Sequence, residues 1–363
     1  MVSSFDGQAT PPVPAGSYVR HDVSFLSAGV RCAAWLYLPA AGGQPPLVVM
    51  GHGLGATRQM RLDAYASRFT QAGMAVLVFD YRHLGDSEGA PRQLISIRQQ
   101  LDDWHAALAY ARTLSDIDQT RIALWGSSFG GGHVLQVAAE DRSVQAVVSQ
   151  APFTDGVAST MARARTGLLS SAVLMIAAVM DAIGAKLHAP PVLMPMAGTW
   201  WMPAFLASED SVKGATDQAR AGTQLSRRTS MILRRLPSVR RLLSDTIELS
   251  DLDIPKGMDS IWGVMKSPDS GSFTVNAIAA RLALSLPFYR PGRALKQLGA
   301  IPVLICACDN DSVAPVKPTL RAAKGLSQVQ VIRYPYGHFE IYVGDAFEHA
   351  FADQLNFLRS NLG

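Results

Sequence analysis

The chain has 363 residues, 48% hydrophobic and 17% charged, with a formal net charge of +4. It can bury a large core as one large or two ordinary domains, and it lacks the basic stripe interleaved with aromatics that a nucleic-acid partner would require. The first residues, Met1 to Asp6, lack a basic region followed by an apolar core, so no secretory signal is visible and the cytoplasm is the expected compartment.

Residues 1–16 are rich in Pro, Gly and Ser and read as a mobile tail. Tyr18 to Phe25 and Val30 to Leu38 read as an antiparallel pair that opens a sheet. Pro46 to Met50 is an apolar strand running into Gly51-His52-Gly53-Leu54-Gly55, and Ala75 to Phe79 is another, ending in Asp80. Arg121 to Trp125 leads into Gly126-Ser127-Ser128-Phe129-Gly130 and a small-residue helix, and Val144 to Ser149 follows as a strand. This alternation of strand and helix predicts a mostly parallel sheet.

The pattern resumes only at Ile301 to Cys308, which breaks into Asp309-Asn310-Asp311-Ser312-Val313-Ala314-Pro315. Val329 to Tyr334 then leads into Pro335-Tyr336-Gly337-His338. The intervening segment of about 145 residues is too long for a connection in a compact domain and must carry structure of its own. Within it the longest uncharged apolar stretch, Gly167 to Met180, has about fourteen residues, short of the roughly twenty that span a bilayer, and reads as a buried or substrate-facing helix. Cys32, Cys306 and Cys308 are an odd set, two of them alternating on one apolar run, and buried thiols are expected rather than a disulfide or metal site.

The strand, the sharp turn at Gly126 to Gly130 and the helix are the setting for a nucleophilic serine, Ser128, with glycines where backbones pass closely. A serine nucleophile needs a histidine base, and the histidine a carboxylate that fixes its tautomer. His338 follows the last strand, and Asp309 and Asp311 both follow the strand before it, giving the order Ser, Asp, His. Acyl transfer also needs two donors for the developing oxyanion. The amide of Phe129, next to the nucleophile, is one, and the Gly-rich loop after Met50 supplies the other, that of Leu54.

These residues resemble the α/β-hydrolase superfamily. The stretch from Gly51 to Asp155, with Phe79 to Ser87 and Gly130-Gly131-Gly132-His133, is similar to the branch of dienelactone hydrolases and S15-type peptidases. The resemblance implies an α/β-hydrolase fold, a mostly parallel central sheet flanked by helices, with core residues 17–155 and 296–363. A large, mainly helical cap at 156–295 is inserted after the sixth strand. It also favours Asp311 over Asp309, because such proteins usually place the acid four residues before a proline, where Pro315 stands. His52 and His133 flank the site as scaffold.

A rival reading exists, since Gly51 to Ala56 also matches GxGxxA and Asp80 sits where a ribose hydroxyl would be bound. The hydrolase fold predicts the same local elements and also uses Ser128, Asp311 and His338, leaving Asp80 to anchor the Tyr81 to Ser87 loop. In the cap, Trp200, Trp201 and Met202 offer bulky apolar surface for a substrate pocket, with His52 beside it, or else form the cap's own core. Arg227-Arg228, Arg234-Arg235 and Arg240-Arg241 read as a solvated face, with an anionic group or a lipid interface as alternatives.

The expected function is hydrolysis of a carboxylic ester, lactone or thioester of a small to medium apolar acyl group, through an acyl-enzyme and without metal or organic cofactor. The expected partner is therefore a small-molecule substrate; a membrane span is not expected, interfacial contact by the cap is allowed, and homo-oligomerisation is left open. An S15-like aminopeptidase is the enzymatic alternative and would need an acidic group facing the site. A silent ligand-binding homologue is the non-enzymatic one.

Overall fold

The computed structural model describes residues 16–220 and 273–363, with two short strands, Gln224–Ser226 and Val264–Lys266, from the stretch between. The tail expected over 1–16, Gly16 apart, and the three Arg pairs of the cap lie outside the described residues.

Eight strands form the central sheet. They are β1 (Tyr18–Ser27), β2 (Val30–Pro39), β3 (Leu47–Gly51), β4 (Ala75–Phe79), β5 (Ile122–Ser127), β6 (Ala146–Gln150), β7 (Val303–Cys308) and β8 (Val329–Tyr334). Their order is β1-β2-β4-β3-β5-β6-β7-β8. β1 and β2 pair antiparallel, as the alternation near the N-terminus predicts, and β2 joins β4 antiparallel; every later pairing is parallel. Strands β3 to β7 are buried at every residue. A parallel strand covered by helices on both faces has no solvent side, which is why these segments read as unbroken apolar runs.

The side-chain alternation divides the core into two layers. Leu47 and Val49 of β3 face one side, with Phe79, Trp104 and Leu108, beneath α2 (Ile97–Ala111) and α3 (Phe129–Glu140). Val48 and Met50 face the other, with Tyr65, Phe69, Trp125 and Phe347, beneath α1 (Leu62–Gln71) and the last helix, Gly344–Leu362. Cys32, Cys306 and Cys308 are buried free thiols, as expected, and burial pushes the Cys306 thiol up to about 12.

After β6 the chain enters the insertion, with α4 (Gly156–Thr166), α5 (Leu168–Lys186) and α6 (Glu209–Arg220). Asp155 caps α4 by accepting from the Ala158 amide at 3.0 Å and pairs with Arg290 at 2.6 Å, tying the start of the insertion to its exit. Two short strand pairs, Leu193–Met194 with Ile278–Ala279 and Ala197–Gly198 with Leu206–Ala207, brace the middle.

Of the two alternatives expected for the Gly167 to Met180 stretch, buried or substrate-facing, helix α5 does not take the fully buried one. It runs for 19 residues, is long and apolar enough to cross a membrane by length and composition, and has 22% of its apolar window buried. Leu169, Ile176, Val179, Met180 and Ile183 are exposed, while Leu174, Ala177, Ala178 and Asp181 face inward. Apolar composition announces a helix here, but only one side of it meets the fold.

Asp181 is the polar joint of that inward side. It is 1% exposed, binds Arg281 through Nε at 2.7 Å and through a terminal nitrogen at 2.8 Å, and accepts from the amides of Val192 and Arg281, each at 2.8 Å. Burial alone would raise its carboxyl, but these donors hold it below the ordinary carboxylate range. A depressed acid stabilises above its unfolded value and loses that contribution as pH falls through the folded one, so the joint is intact at neutral pH. Asp181→Ala should cost about 2–3 kcal/mol in denaturant unfolding at pH 7, because a partly buried guanidinium and two backbone amides lose the carboxylate they bond; a loss below about 1 kcal/mol would show that the joint does not hold the insertion.

Candidate active site

Ser128 stands between β5 and α3 with φ 54° and ψ −115°. That left-handed, strained backbone is what a sharp strand-to-helix turn imposes on a side chain that must stand clear of the sheet. It is held from both sides: the Ser128 amide donates to the Gln150 carbonyl at 2.8 Å, and the Ser128 carbonyl accepts from Phe153 at 2.9 Å. The flanking glycines are required by contact. A Cβ at Gly126 would lie 2.2 Å from the Gly130 carbonyl oxygen, and one at Gly130 would lie 2.5 Å from that of His52.

The hydroxyl of Ser128 donates to His338 Nε2 at 3.0 Å, and His338 Nδ1–H donates to Asp311 Oδ2 at 2.7 Å. The other Asp311 oxygen accepts from the amides of Val313 (2.8 Å) and Ala314 (2.5 Å), which lock the carboxylate toward the imidazole. Asp309 points elsewhere, pairing with Arg333 at 2.8 Å. β7 and β8 are paired parallel neighbours with Cys308 opposite Tyr334, so the loops carrying acid and histidine leave the same edge side by side.

His338 is 2% exposed. Burial alone would lower its pKa, but the charge and hydrogen bond of Asp311, together with the charge of Asp210, raise it above the ordinary histidine value. Asp210, at the start of α6, is one of the few acids of the insertion, and the sequence gives it no link to His338. It accepts from Ser208 at 2.6 Å and from Ser312 at 2.7 Å, which seats the insertion on the acid loop. No spacing rule links residues 210 and 312, so only the fold reveals the pair.

The backbone N–H groups of Leu54 and Phe129 donate to no acceptor among the described residues. Both residues border a cavity of about 280 Å³ beside Ser128, walled further by Phe153, Leu174, Met175 and Phe205. Arg163, on the same wall, is committed to the carbonyls of Met202 (2.8 Å) and Ala204 (2.9 Å) and to Ser170 and Ser171, each at 3.0 Å. Burial lowers its pKa.

The apolar wall comes largely from α4, α5, Phe205 and the Leu206–Ala207 strand, which corrects the expectation for Trp200, Trp201 and Met202. None of these three borders this cavity. Met202 packs with Ala204 and Ala207, Trp201 lies against that cluster, and Trp200 is 49% exposed. For Met202 and Trp201, bulk in the sequence marked the insertion's own core, because a segment of this length must bury side chains against itself.

His52 is buried beside the site. Burial lowers its pKa, and its Nδ1 bonds the Gly53 carbonyl at 3.0 Å. His133 is buried scaffold, bonded to Tyr289 (2.7 Å) and Gln100 (2.9 Å), with a pKa lowered by burial to about 3. Asp80, 0% exposed, accepts from the Arg58 amide at 2.7 Å and from the Asp86 amide at 3.1 Å, and its carbonyl takes the Ser87 hydroxyl at 2.6 Å. It anchors the Tyr81 to Ser87 loop and has no free oxygen for a ribose, which removes the dinucleotide reading.

Comparison with known proteins agrees with this architecture. A family model described as serine aminopeptidase, S33 matches residues 44–239. Quorum-quenching protein AidA of Acinetobacter baumannii is 43% identical over 338 residues, covering 93% of this chain and 94% of that one. Thiohydrolase aneE of Aspergillus aculeatus is 35% identical over 135 residues, 37% of this chain and 42% of its own. In structure, the α/β hydrolase GrgF from Penicillium superposes with a TM-score of 0.64 over 95% of this chain and 99% of its own, at 21% identity, a likeness of fold. The chain belongs to the α/β-hydrolase superfamily, in the family described as serine aminopeptidase, S33, and is a hydrolase.

Proposed function

We propose that this hydrolase cleaves carboxylic esters or thioesters of medium-length apolar acyl groups through an acyl-enzyme on Ser128. The observation that carries the reading is the apolar cavity of about 280 Å³ opening onto Ser128, whose hydroxyl is already bonded to His338. For scale, a cavity of about 150 Å³ accepts benzene.

In this mechanism Ser128 Oγ attacks the acyl carbonyl as its proton passes to His338 Nε2. The amides of Leu54 and Phe129 receive the oxyanion; such preorganised donors are worth about 3–4 kcal/mol each because they do not reorient as charge develops. Asp311 steadies the imidazolium, which then protonates the leaving group. Water activated by the same histidine releases the acid. The insertion acts as a lid, α4 and α5 lying along the acyl chain. The thiohydrolase relative supports thioesters as well as esters.

The family description raises an aminopeptidase as the second reading. Recognition of a free amine needs a carboxylate at the site, and no Asp or Glu is among the described residues bordering either cavity at Ser128. Asp210, whose charge acts on His338, is committed to Ser208 and Ser312. The esterase reading is therefore preferred.

Ser128→Ala should abolish turnover with the fold retained by circular dichroism, and Asp311→Asn should lower kcat by about three to four orders of magnitude by favouring the wrong tautomer; near-normal hydrolysis by Ser128→Ala would end the proposal. Across ethyl esters of increasing chain length, kcat/KM should rise into medium chains while aminoacyl amides are left uncut. Ala172→Trp, on the cavity wall, should shift the optimum to shorter acids. The base must be neutral, so kcat/KM should fall as pH drops through a midpoint above the ordinary histidine value of about 6.5. Asp210→Asn should move that midpoint down, and an unmoved profile would show that Asp210 does not act on His338.

A further inference from the structure

A second, smaller cavity of about 40 Å³ lies on the other side of Ser128, sharing Leu54, Ser128 and Leu206 with the larger one. His338 borders the small cavity and not the large one among the described residues. Since His338 must protonate the departing atom, the leaving group occupies the small cavity and the acyl chain the large one. This deduction rests on the assignment of Ser128 and His338 made above.

The wall of the small cavity is mostly apolar, with Met60, Leu62, Met196 and Ala215. Most of its polar groups have partners: Ser127 and Tyr342 bond each other, His52 Nδ1 bonds the Gly53 carbonyl, and Ser128 and His338 form the relay. His52 Nε2, 3.7 Å from Asp80, has no hydrogen bond, and the other exception is Gln218. It borders the cavity, is 7% exposed, and its side-chain amide has no hydrogen-bond partner among the described residues. Among the described residues nothing pairs with this amide, and methionine would fill the same length without a group to pair.

Helix α6 is pressed against the site at this point. A Cβ at Gly214 would lie 2.2 Å from Phe339 Cβ, next to His338, and Gln218 is one helical turn further along the same face. The side chain is thus carried on a helix seated directly over the relay, not on a free loop.

We infer that Gln218 selects the leaving group, a compact alcohol or thiol bearing one further hydroxyl or carbonyl that bonds the Gln218 amide. Size supports compactness, since about 40 Å³ admits roughly three water-sized groups. Chemistry supports polarity, since a site holding an unpaired donor and acceptor discriminates against the isostere that lacks a partner for them.

The test compares two esters of one medium-chain acid that differ by a single group, the 2-hydroxyethyl and the propyl ester, on wild-type enzyme, Gln218→Leu and Gln218→Met. The ratio of kcat/KM values, hydroxyethyl over propyl, should be about tenfold higher in the wild type than in either variant, with propyl-ester hydrolysis retained. Both variants should be folded and at least as resistant to denaturant as the wild type. An equal ratio in all three enzymes, or an equal loss on both esters, overturns the role of Gln218. Ser128→Ala is run beside them: if it is inactive, such a result removes only the Gln218 assignment, whereas if it still cleaves both esters, the nucleophile assignment itself fails.

Discussion

The backbone of the elbow is the constraint on which the site depends. With φ at 54°, Ser128 sits where L-residues are strained, and it stays there because its amide is bonded to the end of β6 and its carbonyl to the segment after it. Those bonds in turn require α3 to pass close to β5 and to the loop after β3, close enough that the Gly126 and Gly130 positions have no room for a Cβ. One tight approach thereby places the nucleophile, directs the Phe129 amide, and brings the loop of Leu54 to the same point.

Around that point the electrostatics follow from burial. His338 is enclosed, which by itself favours the neutral ring, and Asp311 opposes this through a short hydrogen bond and its charge. Two backbone amides hold the carboxylate in place. The insertion adds Asp210, which binds Ser312 beside the acid, so docking of α6 and the protonation of the base are coupled through one side chain. A segment that reads as a cover for the substrate thus also contributes charge to the relay.

The insertion further divides the space over Ser128 into two unequal parts. The larger is apolar and walled by α4 and α5; the smaller is bordered by His338 and carries Gln218 from α6. Leu54 and Leu206 stand in both walls. Under the proposed mechanism, which half receives the acyl chain depends on where the proton is delivered, a matter of position relative to Nε2 and not of hydrophobicity alone.

Much of this was legible in the residues because it is local. The parallel strands announce themselves as apolar runs, since they have no exposed face, and the elbow, the Gly-rich loop and His338 each sit beside such a run. The choice between Asp309 and Asp311 was narrowed by the position of Pro315 but decided by side-chain direction, one carboxylate turning to His338 and the other to Arg333. The substrate wall was not legible: Trp200, Trp201 and Met202 are large and apolar, as both a pocket and a core demand, and composition cannot tell which neighbour a side chain meets. Nor could the bond of Asp210 to Ser312 or the place of Gln218 on the cavity wall be read, since no sequence interval encodes them. The residues alone were enough to recognise the fold and to single out Ser128 and His338 as candidate nucleophile and base, because strand burial and tight turns restrict residue type locally. The shape and polarity of the space over Ser128 came only from the folded chain, because segments distant in sequence form it.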